Sequence, residues 1–249
     1  MLRFLIFILF LSSAHSNSFN DADFDGTLTS EQLILWGYDP QATSINLDNK
    51  NITSIEPNAF EDFNNLQTLF LRYNNISEIS SDTFKGLMKL TGLYLSSNRI
   101  KSIEDNAFED LENLQSLFLT DNRIEKINVN TFKGLKKLAR LILTTNLIDT
   151  VEDNAFTDLT NLEYLFLGSN RLEVVTTKTF LGLSRLANLY LPFNSIIRIE
   201  EGAFSIFENL EFFYFSYNKM LDTDYDYFKG MKNLQYFDLT GNLINLVFR

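Results

Sequence analysis

Three octapeptides decide the fold: LYLSSNRI at residues 93–100, LFLTDNRI at 117–124 and LFLGSNRL at 165–172. Apolar residues alternate along each one up to an Asn, and an apolar residue returns two positions later. Outward from them, Asn74, Asn98, Asn122, Asn146, Asn170, Asn194, Asn218 and Asn242 recur at a constant step of 24 residues. Phe60, Phe84, Phe108, Phe132, Phe156, Phe180, Phe204 and Phe228 keep the same step. Two columns in phase over eight copies mark a repeat architecture. A ninth, weaker copy opens the series at INLDNKNI, 45–52, with Lys50 in the Asn column.

Alternation predicts a half-buried strand in each copy. One 24-residue unit cannot bury its apolar face alone, so strands of neighbouring copies must stack. Within one copy Leu90, Leu93, Leu95, Ile100, Ile103, Phe108 and Leu111 are read as inward. The Asn contributes no apolar burial. Its amide is suited to bonding the backbone where the strand bends, and stacked copies make a ladder.

The pattern L-x-L-x-x-N-x-I followed by F-x-x-L-x-x-L resembles the leucine-rich repeat, in the 24-residue form typical of extracellular proteins, over about residues 42–249. The resemblance implies an α/β solenoid: a curved array of about nine repeats, with a parallel sheet on the concave face and irregular or short helical turns on the convex face. It also implies a binding protein that uses the concave face. Two features depart from the family: neither end has a cysteine-rich cap, and the sequence stops at Arg249, seven residues after Asn242.

A second period lies above the first. NAFEDF at 58–63, NAFEDL at 106–111 and NAFTDL at 154–159 alternate with TFKGL at 83–87, TFKGL at 131–135 and TFLGL at 179–183, so pairs of repeats recur every 48 residues. These segments belong to the convex side, where Lys85, Lys133, Glu61, Glu109 and Asp110 are expected to form a solvated face.

Outward positions of each strand lie six, four, two and one residues before the Asn. Of these 36 positions twelve are aromatic, eleven are Ser or Thr, and Asp48, Arg72, Asp121, Arg140 and Asp238 are charged. The column four before the Asn reads Asn46, Phe70, Tyr94, Phe118, Ile142, Phe166, Tyr190, Tyr214 and Asp238. In the last four copies Tyr164, Phe166, Tyr190, Phe193, Phe212, Tyr214, Tyr217 and Tyr236 fill half of the outward positions. A wet stripe of rings is costly unless something covers it, and rings among small polar residues are the usual makeup of a binding surface. Phe70, Tyr94, Phe118 and these eight are therefore the candidate ligand-binding residues. The competing account is that aromatic residues favour strands and pair with their strand neighbours. One residue after the Asn, Arg99, Arg123, Arg171 and Lys219 form a basic rim suited to steering an acidic partner, or simply to balancing nearby acids.

Composition removes whole classes of function. With 21 Lys and Arg against 32 Asp and Glu the net charge is −11, which argues against nucleic acid as partner. The absence of Cys excludes a disulfide framework and a thiol nucleophile. The single His, His15, lies in a segment with the pattern of a secretory signal peptide: Arg3, the apolar run Phe4 to Leu11, then small Ala14 and Ser16, with cleavage expected after Ser16. That run is too short to span a bilayer, which takes about 20 residues. The expected organisation is a signal peptide over 1–16, a cysteine-free N-terminal cap over 17–41 and the solenoid over 42–249. Leu33, Leu35, Trp36 and Tyr38 are expected to cover the first turn, and Phe207, Phe213, Phe215, Met231 and Phe237 to plug the far end. Without residues 1–16 the sequence has no His and no Cys, which removes the usual base, thiolate and zinc ligands, and no phosphate-cradling Gly loop is present, so no cofactor and no catalysis are expected.

Two local motifs remain. DADFDGTLTSEQ at 21–32 resembles an EF-hand loop, with Asp21, Asp23 and Asp25 as candidate cation ligands, but Gln32 stands where that family needs a bidentate Glu. An acidic turn leading into the cap, with no metal, is the preferred reading. Asn51-Ile52-Thr53 and Asn75-Ile76-Ser77 are the two glycosylation sequons, in one column on adjacent copies, so crowding predicts that one of them carries most of the sugar. The reading that results is a secreted recognition module binding an extracellular protein or other ligand through the concave face. The alternative is a structural or self-associating matrix protein, or a non-catalytic subunit of a secreted complex, with a second copy of the chain contacting the C-terminal half.

Overall fold

A computed structural model describes residues 24–221 and 225–244. The signal segment, Asp21, Asp23 and residues 245–249 lie outside the described residues. Nine strands of three residues form one parallel sheet in chain order, from Ser44–Asn46 to Tyr236–Asp238. Turn 1 is named here for Lys50, and turns 2 to 9 for Asn74 through Asn242. Register is strictly periodic, with Leu93 beside Leu69 and Leu117. All seven residues read as inward in one turn are buried.

The buried Phe column forms a continuous stack along the convex layer, with ring centroids 6.0–6.5 Å apart from Phe60 to Phe180. Strands in a sheet sit about 4.8 Å apart. The wider step of the Phe layer against the narrower step of the sheet bends the solenoid, with the sheet inside.

Each ladder Asn serves the turn before it. Asn98 Nδ2 donates to the carbonyls of Leu71 and Leu95 at 2.9 Å, and its Oδ1 accepts the Ile76 N–H at 3.1 Å. The pattern repeats at Asn122, Asn146, Asn170, Asn194 and Asn218. These amides are buried, and an unmade bond at any of them costs about 1–3 kcal/mol. The turn-serving geometry explains Lys50: no repeat precedes turn 1, so no Asn is required there. The Lys50 ammonium instead lies over the Trp36 ring at 5.0 Å.

The residue before each Asn adopts a left-handed conformation, with φ of 54–59° from Asn49 through Tyr217. Asp, Asn, Ser and Thr fill that place in most turns; Tyr73, Phe193 and Tyr217 are bulkier, at a cost of about 1 kcal/mol or more each.

The 48-residue period has a physical cause. Short outer strands pair two by two: Glu78–Ile79 with Ser102–Ile103, Lys126–Ile127 with Thr150–Val151, and Val174–Val175 with Arg198–Ile199. Across each pair the even turn donates a backbone N–H to a Glu of the next turn: Ser81 to Glu104, Val129 to Glu152 and Thr177 to Glu200. Gly86 and Gly134 donate likewise to Asp110 and Asp158. Asp110 is therefore a backbone acceptor rather than part of a merely solvated face, whereas Lys85 and Lys133 make exposed ion pairs with Asp82 and Glu109. Gly182, at φ 101°, presses on the preceding turn: a Cβ there would stand 2.6 Å from Thr157 Cα.

The cap joins the same scheme. Its strand Thr27–Leu28 pairs with Ser54–Ile55 of turn 1. A short helix, Ser30–Leu35, starts at Thr29, whose hydroxyl accepts the Gln32 N–H at 3.0 Å. Leu28 and Leu33 are fully buried over turn 1, and Trp36 and Tyr38 pack against the core. Leu35 does not cover the turn as expected; it sits on the outer side of the helix and is 51% exposed, because Leu33 and Leu35, two positions apart on a helix, project to opposite sides. At the far end Phe207, Phe213 and Phe215 are buried, with Met231 and Phe237 half-buried against them.

Candidate functional site on the concave face

Parallel, in-register strands bring equivalent side chains of successive turns side by side, so the rings four before each Asn stack. Phe70, Tyr94 and Phe118 form one stack, with centroids 4.6 and 4.7 Å apart. Ile142 interrupts it. Phe166, Tyr190 and Tyr214 form a second stack at 4.0 and 4.3 Å, extended by a tilted Tyr236 at 4.9 Å. Within each stack the rings lie within 22° of parallel. Faces therefore cover faces and ring edges point to solvent, which leaves these rings half-buried. Burial raises the Tyr190 hydroxyl above its ordinary pKa, with a further contribution from its hydrogen bond to Tyr214.

A separate pair, Phe193 and Tyr217, stacks at 4.6 Å beside the second column. Both rings are more than half exposed, at 56% and 52%. Gly241 makes room for them: a Cβ there would stand 2.6 Å from the Tyr217 ring. Of the eleven candidate residues, the structure gathers Tyr164, Phe166, Tyr190, Phe193, Phe212, Tyr214, Tyr217 and Tyr236 on the sheet of turns 6 to 9, and sets Phe70, Tyr94 and Phe118 apart on turns 2 to 4.

The charged outward residues have different fates. Asp48 and Arg72 neutralise each other, with Nη2 2.6 Å from Oδ2 and the Arg72 backbone N–H on Oδ1 at 2.7 Å. The hydrogen bond to Asp48 holds Arg72 above its ordinary pKa. Asp238 is held below its usual value by the side chain and N–H of Thr240, helped by Ser216. Arg140 is exposed, with its guanidinium 5.3 Å from the Tyr164 ring centre, and makes no ion pair among the described residues. The rim cations Arg99, Arg123, Arg171 and Lys219 are likewise exposed and unpaired there.

A family model for the leucine rich repeat matches residues 40–100, 88–148, 137–196 and 184–244. The chain belongs to the leucine-rich repeat family. Among solved structures this leucine-rich repeat array is similar to TLR13 in the crystal structure of its complex with ssRNA13, at 31% identity and TM-score 0.79, over 83% of this chain and 29% of that one. It is similar to internalin C2 of Listeria monocytogenes at 28% identity and TM-score 0.64, over 80% of each chain. Toll of Drosophila, solved with Spatzle, shares the fold at 22% identity and TM-score 0.81, over 90% of this chain and 31% of that one. The array thus spans under a third of the TLR13 and Toll chains. Curated protein sequences contain no match to it.

Three exposed residues escaped the sequence reading of the site. Tyr73 is 58% exposed in the column before the Asn. Ile197 and Leu221 lie three after the Asn, both more than half exposed, in a column that is otherwise Thr53, Ser77, Lys101, Glu125, Asp149 and Glu173. The switch of that column from polar to apolar was the available signal. Of the sequons, Asn51 is exposed and Asn75 half-buried. Asp25 accepts the Thr27 N–H at 2.7 Å, and among the described residues no acidic cluster is placed to hold a metal.

Proposed function

We propose that the chain is a secreted recognition module that binds an extracellular protein through the concave face of turns 6 to 9. One observation carries this reading. Stacking between neighbouring strands accounts for one ring per turn, but turns 6 to 9 add Tyr164, Phe212, Tyr236, Phe193 and Tyr217 in flanking columns. Of these, Phe193, Tyr217 and Tyr236 are exposed and Tyr164 and Phe212 half-buried, and rings in excess of what the sheet uses mark a surface that is covered in use. Secretion rests on the signal pattern over residues 1–16. No helix of the described residues is long and apolar enough to cross a membrane.

TLR13 has been solved with RNA. For this chain a protein partner is better supported: the concave face carries a single unpaired cation among its described residues, and affinity for nucleic acid rests on several phosphate contacts. The role is recognition without catalysis, since removal of residues 1–16 leaves neither His nor Cys.

Self-association is the second reading, favoured by the exposed apolar residues Phe193, Ile197, Tyr217 and Leu221 of turns 7 and 8. The test is an array of purified extracellular domains probed with the secreted chain, together with its molar mass across concentrations. A chain that stays monomeric, and whose hits are lost in Tyr190→Glu/Tyr214→Glu, supports a foreign partner. A dimer dissolved by the same substitutions assigns the face to a second copy. Hits that survive those substitutions overturn the concave reading.

A further inference from the structure

Deepening that reading, and resting on it, we infer that the concave face takes an apolar protein segment bearing one carboxylate, which pairs with Arg140. Five charged residues point outward from the sheet. Asp48 and Arg72 satisfy each other, and Asp238 is engaged by Thr240 and Ser216. Asp121 sits at the opposite end of its strand segment from the column that holds Arg140. Arg140 is thus the concave cation left without a counter-charge among the described residues.

Its surroundings fit one ligand chemistry. Arg140 stands in register between Ser116 and Tyr164, and its guanidinium lies over the Tyr164 ring. The guanidinium makes no ion pair among the described residues, and its planar fork of N–H donors suits a planar two-oxygen acceptor, the geometry of a carboxylate. Glu163 on the neighbouring turn makes no ion pair with it. On either side run the two ring stacks, interrupted at Ile142, two residues further along the same strand.

Those stacks narrow the partner further. Sugars and nucleobases bind aromatic residues through ring faces, and within the two stacks the faces between neighbouring rings are covered. The exposed edges carry the positive end of the ring quadrupole. Edges of that kind favour carbonyl oxygens and aliphatic groups, which a polypeptide supplies. One cation among apolar edges matches one acidic residue among apolar ones. A polyanion needs several cations in a row, and the concave sheet does not offer them.

The experiment selects displayed random dodecapeptides on the immobilised full chain, then measures the affinity of the enriched peptides for variants. Arg140 is exposed, so its variants are expected to melt with the wild type. The expected outcome is peptides with one Asp or Glu flanked by apolar residues. Arg140→Ala, or Asp→Asn in the peptide, should each weaken binding about tenfold, and the two together no more than either alone. Arg140→Glu should regain affinity for the same peptide carrying Asp→Lys. If binding is indifferent to Arg140→Ala yet lost in Tyr190→Glu, the carboxylate pairing is wrong and the concave reading stands. If the peptides survive Tyr190→Glu/Tyr214→Glu, both are wrong. Enriched peptides without an acid, or a selection that enriches none, overturn the inference.

Discussion

The concave sheet carries two aromatic stacks that look alike in cross-section and differ in their flanks. The stack Phe70–Tyr94–Phe118 is bordered by Thr68, Gly92, Ser116, Ser96 and the neutralised Arg72, with Tyr73 as its single flanking ring. The stack Phe166–Tyr190–Tyr214 is bordered by rings on both sides, and Phe193 and Tyr217 stand more than half exposed. Ring separations within the stacks are nearly equal. Stacking is therefore a property of parallel, in-register strands wherever aromatic residues occupy adjacent rungs, and by itself says nothing of a partner. The excess of rings around the second stack is what separates a binding surface from strand packing.

The largest effect tests the inside–outside assignment on which the comparison depends. Leu191→Glu buries a charge in the core and should cost about 4 kcal/mol or more, enough to prevent folding. Tyr190→Glu, one residue away on the outer face, should lose only ring stacking, about 1 kcal/mol in chemical unfolding. Equal losses would show the outer columns to be core.

Next in size is a test of the pairing between turns, which decides whether the two halves are interchangeable. Deleting residues 123–170 removes one even and one odd turn and keeps the alternation. Deleting 123–146 sets two odd turns together and forfeits the bonds from Val129 to Glu152 and from Gly134 to Asp158. The shorter deletion should be the less stable protein by about 3 kcal/mol in denaturant titration. Equal stabilities would make the single repeat the unit.

Binding provides a direct contrast between the stacks. Tyr214→Ala should weaken the partner about tenfold or more, whereas Tyr94→Ala should change affinity by no more than about twofold. The reverse ranking would move the site to the N-terminal half. A smaller effect concerns sugar. Mass spectrometry of secreted material should find one of Asn51 and Asn75 well occupied, and removing both acceptors should leave binding intact, since they lie at the end away from the second stack. The smallest effect is that of calcium: millimolar ion or chelator should leave the melting temperature unchanged, and an upward shift abolished by Asp23→Ala would restore the acidic loop as a site.

Much of the candidate site was legible from column positions. Tyr190 and Leu191 are neighbours in sequence with opposite fates, and alternation assigns both without coordinates. The rim residue Arg99 was equally plain. The two outward Arg residues were separable only in part: the 24-residue step sets Asp48 beside Arg72 and Ser116 beside Arg140, but the closed ion pair and the Arg140–Tyr164 contact needed coordinates. Leu35 was misplaced because a six-residue helix is too short for periodicity to choose a face.

By itself the 24-residue period determined how many turns the chain makes, which residues point inward, and the strict register of the sheet, because period and burial leave no other way to stack identical units. The tertiary structure decided what happens between turns. It showed that each Asn side chain completes the turn before its own, that outer strands pair two by two, and that the rings turn their edges outward. All three depend on contacts between residues a full repeat apart, whose direction along the solenoid axis no single repeat encodes.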